Sequence, residues 1–301
     1  MTGRCRIALS ISCLGALGVL AVHSLFAQDM PLSQILIDGE GWKLVAKDFK
    51  TPWAIAGDRD GNVYVGDPET GRIDRIDTGG KIATFARLND VRGLAFDTKQ
   101  NLFAAQPADV GIRSLDGSAK IVWQTQLKSG AWHVAVAANG TVYASVPAEQ
   151  GVFAISPDGK ARKVAQDIGR PAGLAFWPDT GTLAVADAAG KHVLAFRVEK
   201  DGALSSREGY APLRLAPGQK ASGATGLAVD AAGRLYVATP LGIQVFDPTG
   251  RLSGVILKPA DGLLAGIAFG GAAGDTLYAI CGDQVFARKT KAKGLVLTGK
   301  P

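Results

Sequence analysis

One pattern recurs six times along this chain, and that repetition limits the fold more than any other feature of the sequence. Each copy is an apolar strand, a turn rich in Asp and Gly, and a second strand in which apolar and small residues alternate. The copies are TPWAIAGDRDGNVYVGD from Thr51, DVRGLAFDTKQNLFAAQ from Asp90, GAWHVAVAANGTVYASV from Gly130, RPAGLAFWPDTGTLAVAD from Arg170, GATGLAVDAAGRLYVAT from Gly223 and LLAGIAFGGAAGDTLYAIC from Leu263. Aligned on the residue that opens the first strand, they put Trp53, Arg92, Trp132, Ala172, Thr225 and Ala265 in one column, at spacings of 39, 40, 40, 53 and 40.

A third strand follows, as in GRIDRID from Gly71 or GIQVFDPTG from Gly242, and a fourth after the next Gly-containing turn, as in KIVWQTQ from Lys120 or RLSGVILKP from Arg251. Apolar residues alternate at period two and Gly or Asp-Gly punctuates the runs, which excludes helices. Four short strands per unit at this period predict an all-β fold, a six-bladed β-propeller of four-stranded antiparallel blades around a central channel. The propeller is expected over 42–301, after a lead-in over 28–41.

The chain opens with an outer strand, Trp42 to Lys47, and its last unit reaches only a third strand, QVFARK from Gln284, before the tail GLVLTG. Either the first strand completes the last blade, leaving no open edge, or the tail does and the first strand is an extra edge. The 53-residue spacing reflects an insert, Glu199 to Gly223. It reads as a longer connection between third and fourth strands, or as a lid over a site.

Residues 1–27 differ from the rest. Arg4 and Arg6 precede an uncharged apolar run from Ile7 to Leu25 that ends at Ala27. This is the form of a secretory signal cleaved after Ala27, with an uncleaved anchor as the alternative, and it predicts a secreted or periplasmic protein with no membrane span once removed. Cys13 is poorly placed for lipid attachment. Cys281 is then the one cysteine left of 3, so no intramolecular disulfide is expected. The formal charge of +6 includes the two leader arginines, and the remaining basic residues are scattered apart from Arg288 to Lys293. Nucleic acid is not implied as a partner.

Chemistry-bearing clusters are scarce. Beyond the leader the histidines are His133 and His192, so a His-rich zinc site is excluded and a Ser-His-Asp triad would have to rest on His133. No Gly-rich phosphate loop occurs, and Asn139-Gly140-Thr141 reads as a turn.

The stretches RPAGLAFWPDTGTLAVADA, FRVEKDGALSSREGYAPL, GATGLAVDAAGRLYVATPLGIQVFDPTGRLSGVILKP and IAFGGAAGDTLYAI resemble the family of gluconolactonase, senescence marker protein and luciferin-regenerating enzyme. The resemblance implies a six-bladed propeller with one divalent cation, usually calcium, near the channel, activating lactone hydrolysis. The family's ligands are a Glu, two Asn and an Asp, each just before an inner strand. They fall on Trp53, Trp132, Ala172 and Thr225, so all four are replaced. A hard cation needs several oxygen ligands with carboxylates among them, so no bound cofactor is expected here.

Strand pairing predicts what lines the mouth instead. The start of each first strand lies opposite the end of the second, which pairs Trp53 with Asp67, Arg92 with Gln106, Trp132 with Val146, Ala172 with Asp187, Thr225 with Thr239 and Ala265 with Cys281. The candidate ligand-binding residues are therefore Trp53, Arg92, Trp132, His133, Thr225, Asp67 and Asp187. Asp67 and Asp187 also read as caps of the turns that follow them. Trp53 and Trp132 read equally as channel plugs, His133 as a packed residue and Cys281 as a buried thiol. Arg92 has no acid assigned to it in its own repeat and calls for an anionic partner. The functional expectation is a propeller that binds a small sugar-like or anionic ligand. The alternatives are a lactonase-type hydrolase with altered metal ligands and a non-catalytic scaffold for protein partners.

Overall fold

The computed structural model describes residues 30–108 and 111–295, so the expected signal segment and residues 296–301 lie outside the described residues. Six four-stranded antiparallel sheets form the blades. The inner strands are Ala54–Gly57, Gly93–Phe96, His133–Val136, Pro171–Phe176, Leu227–Val229 and Leu264–Gly270, which begin blades 1 to 6. Among the described residues no helix is long and apolar enough to cross a membrane.

The ring closes through the first of the two routes. Lys43–Ala46 is the outer strand of blade 6 and pairs antiparallel with Gln284–Lys289, Lys43 opposite Ala287 and Leu44 opposite Phe286. The chain after Gln284–Lys289 turns away across the lower mouth, where Gly294 bridges Asp230 and the Leu295 N–H donates to Val229 O.

Side chains of the second strands seal the blades to one another. Tyr64 packs edge-on against Phe96 at 5.0 Å, Tyr143 against Phe176 at 5.7 Å and Tyr236 against Phe269 at 5.1 Å. In each pair the tyrosine of one blade meets the phenylalanine that follows the inner strand's small residues in the next, a geometry aromatic rings favour. The same contact thus recurs at three of the six blade boundaries.

Around the axis the inner strands approach closely because glycines stand where they touch. A Cβ on Gly173 would lie 2.8 Å from Leu227 N and Thr225 O, and one on Gly93 would lie 2.6 Å from His133 Cα and Trp132 O. This collar narrows the tunnel to a cavity of about 50 Å³ between two wider mouths.

The insert is built differently from the expectation of a long third-to-fourth connection. That connection is a tight turn in which Ala203 O accepts from Glu199 N. The extra length is spent on the nine-residue fourth strand Leu204–Pro212 and on the loop running from it to blade 5. Leu204–Pro212 completes a full blade edge, so the residues serve the sheet first.

Candidate upper-mouth binding site

The upper mouth gathers the starts of the inner strands. Trp53, Trp132, His133, Arg170, Ala172 and Thr225 line a cavity of about 200 Å³ there. The two indoles meet edge-to-face with centroids 6.1 Å apart. The Arg92 guanidinium carbon sits 4.8 Å from the Trp132 ring centroid and 5.7 Å from that of Trp53, within cation–π range. Trp53 Nε1 is buried and has no hydrogen-bond partner.

Arg92 has a partner that the column-by-column reading missed. Its Nε donates to Asp90 Oδ1 at 2.8 Å, and the other Asp90 oxygen accepts from Ala108 N at 3.0 Å. Asp90 lies two residues earlier in the same quoted stretch, and its left-handed backbone, φ 48°, turns it back beside the guanidinium. The pair holds Arg92 against the outer side of the indoles.

His133 lies at the junction between the upper cavity and the collar. Its backbone N–H donates to Ser145 Oγ at 3.1 Å. Burial pushes its imidazole down to about 4, so the ring is neutral at neutral pH. His133 lines the tunnel, unlike a residue packed wholly inside a blade.

The two carboxylates expected in the mouth turn away from it. Asp67 is fully buried and accepts from Lys50 N at 2.8 Å, Glu69 N at 3.1 Å, and Thr51 N and Thr70 N at 3.3 Å. Burial alone would raise its carboxyl, but these backbone donors outweigh it and hold the group below its ordinary value. Asp187 accepts from Arg170 N at 2.9 Å, Ala189 N at 3.1 Å and Gly169 N at 3.2 Å. Both cap the turns between strands. Gln106 likewise turns inward, donating to Asn89 O at 2.7 Å and accepting from Arg113.

The expected pairing is right in blades 1, 2, 3 and 5 and shifted in the other two. Pro171, not Ala172, faces Asp187, and Leu264, not Ala265, faces Cys281. A bulge lies between Pro171 and Leu174, and the Gly173 N–H it frees donates to Thr225 O of the next blade at 2.8 Å. The shift brings Arg170 to the cavity wall. Its side chain is exposed and forms no ion pair among the described residues. Sequence reasoning missed it because the alignment column began two residues later, although the Arg-Pro step that opens the strand was in view.

The family described as "SMP-30/Gluconolactonase/LRE-like region" matches residues 128–281, about half of the chain. The chain belongs to this family. A gluconolactonase from Zymomonas mobilis is 30% identical over 148 residues, which cover 48% of this chain and 41% of that protein, so the match spans less than half of that relative's length. A Xanthomonas campestris gluconolactonase structure superposes on this gluconolactonase-family propeller with a TM-score of 0.73 at 22% identity, covering 86% of this chain and 92% of that one. A structure of regucalcin from Agrobacterium tumefaciens, described as a calcium-binding protein, gives 0.71 at 16% identity over 86% and 97%. These superpositions carry the fold alone.

Proposed function

We propose that this propeller binds a small anionic, ring-shaped ligand in its upper mouth and does so without a divalent cation. The observation that supports the reading most is the cavity wall itself: two indoles, a neutral imidazole and the unpaired Arg170, with no carboxylate among the lining side chains. Indole faces stack on the apolar faces of sugar rings, and a guanidinium fork matches a carboxylate.

The donor set does not fit the family's cation. Calcium takes about six to eight oxygen ligands, carboxylates prominent among them. Of the four positions that would supply them, only Thr225 carries an oxygen, and its hydroxyl donates to Leu264 O at 2.7 Å. Asp67 and Asp187 are committed to turn backbones. No step of lactone hydrolysis is therefore routed through a metal here.

Lactone hydrolysis by other means is the second reading, favoured by membership of a family that includes the Zymomonas gluconolactonase. His133 is the group that would act as base. One experiment separates the two: thermal-shift and calorimetric titration of the purified protein with sugar acids and with calcium, beside a lactone-hydrolysis panel run with and without chelator. Binding of a sugar acid that is indifferent to chelator supports the first reading. Hydrolysis abolished by chelator overturns it.

A further inference from the structure

The upper cavity is small. At about 200 Å³ it falls below the ~300 Å³ at which small-molecule sites begin. Beside it lies an open groove of about 590 Å³, and Arg170 and Ala188 belong to the walls of both. The far side of the groove is the loop of the insert, with Ala216 and Ala221, and its floor includes Ala189 and Pro240.

This loop is pinned in place. Ser222 Oγ donates to Asp187 O at 2.8 Å, and Gly223 N donates to Ala188 O at 3.0 Å. Gln244 of blade 5 accepts from Arg214 N at 2.9 Å and donates to Arg214 O at 2.8 Å. The groove is thus a built feature of the upper face, with small side chains that leave its floor open.

Its electrostatics are one-sided. Arg170 lines the groove, Lys220 is exposed between the lining residues Gln219 and Ala221, and neither forms an ion pair among the described residues. The nearby Asp187 spends its oxygens on backbone N–H groups. Unpaired cations around an apolar floor complement a ligand that continues past the cavity with a second negative charge.

We propose that the groove is a second subsite, and that the ligand is an acidic disaccharide: one sugar acid against the indoles, its carboxylate shared with Arg170, and a second uronate lying along the insert loop. This rests on the proposed binding of a sugar acid in the cavity and names its class. The insert, present in only one of the six repeats, then sets ligand length.

The test uses galacturonate and digalacturonate as probes, titrated calorimetrically into the full chain. Digalacturonate should bind about tenfold more tightly, the gain expected of one added charge-assisted contact. Ala216→Trp, which fills the groove, should abolish that advantage and leave galacturonate binding unchanged. Lys220→Glu, on an exposed side chain, should reduce it without touching the fold. Trp132→Ala should weaken both ligands. Equal affinity for the two probes, or an advantage that survives Ala216→Trp and Lys220→Glu, overturns the subsite while the cavity reading stands. Failure of both probes to bind overturns both.

Discussion

The guanidinium of Arg92 rests 4.8 Å from the ring centre of Trp132, held there by the carboxylate of Asp90. An arginine so placed stiffens the wall of the cavity rather than waiting inside it. Its charge is offset by Asp90, which leaves Arg170 as the cavity's unpaired cation.

Arg92→Ala should therefore cost stability, by about 1–2 kcal/mol from the lost stacking and the carboxylate left without its partner. Urea unfolding followed by tryptophan fluorescence measures it. Arg170→Ala should leave the unfolding midpoint unchanged and weaken binding of galacturonate. The reverse pattern would exchange the roles assigned to the two arginines.

His133 makes stability depend on pH. Its folded-state value of about 4 lies below the ordinary 6.5, so the unfolded chain takes up the proton first. Its contribution is fully present above pH 6.5, declines as the pH falls through 6.5 towards 4, and reaches a loss of up to about 3 kcal/mol. Denaturation midpoints measured from pH 7.5 to 4 should fall more steeply for the parent than for His133→Gln.

The collar tolerates no added carbon. Gly173→Ala would press a methyl against backbone atoms 2.8 Å away in blade 5, and overpacking of this kind costs about 1–3 kcal/mol. Gly80→Ala, on an open turn where nothing lies within 4 Å but φ is +84°, should cost about 1 kcal/mol from backbone strain alone. Thermal melts of both variants, with the larger drop for Gly173→Ala, check the close approach.

A cation site should be restorable. Changing Trp53→Glu, Trp132→Asn, Ala172→Asn and Thr225→Asp together returns the oxygen donors that the family resemblance assigns to these positions. Calorimetry should then show saturable calcium binding in the variant and none at submillimolar calcium in the parent. Saturable binding by the parent would mean that other oxygens do the work.

The sequence revealed the blades because each unit repeats the same strand-turn-strand pattern, with tyrosine on phenylalanine recurring across three of the six blade boundaries, and such repetition survives in linear order. The inner-to-second strand register was legible where the hairpins have equal length, as for Trp53 and Trp132. It failed at Ala172 and Ala265, where the longer hairpins end in bulges that move the mouth by one residue. Arg170 was hidden by that shift. Asp90 was hidden by a backbone reversal that no column of an alignment records. The groove was out of reach because its walls come from the insert, from blade 4 and from Pro240 of blade 5, and only folding brings them side by side.

The pairing of Lys43–Ala46 with Gln284–Lys289 also orders events in time. Nearly the whole chain must be laid down before its opening strand has anything to pair with. Until then an unpaired edge and the flank of a half-made blade stay open to other chains. Contacts of such long sequence separation slow folding. Closing the ring is thus the strand pairing of largest sequence separation in the fold, and once made it holds strands from the beginning and the end of the propeller in one blade.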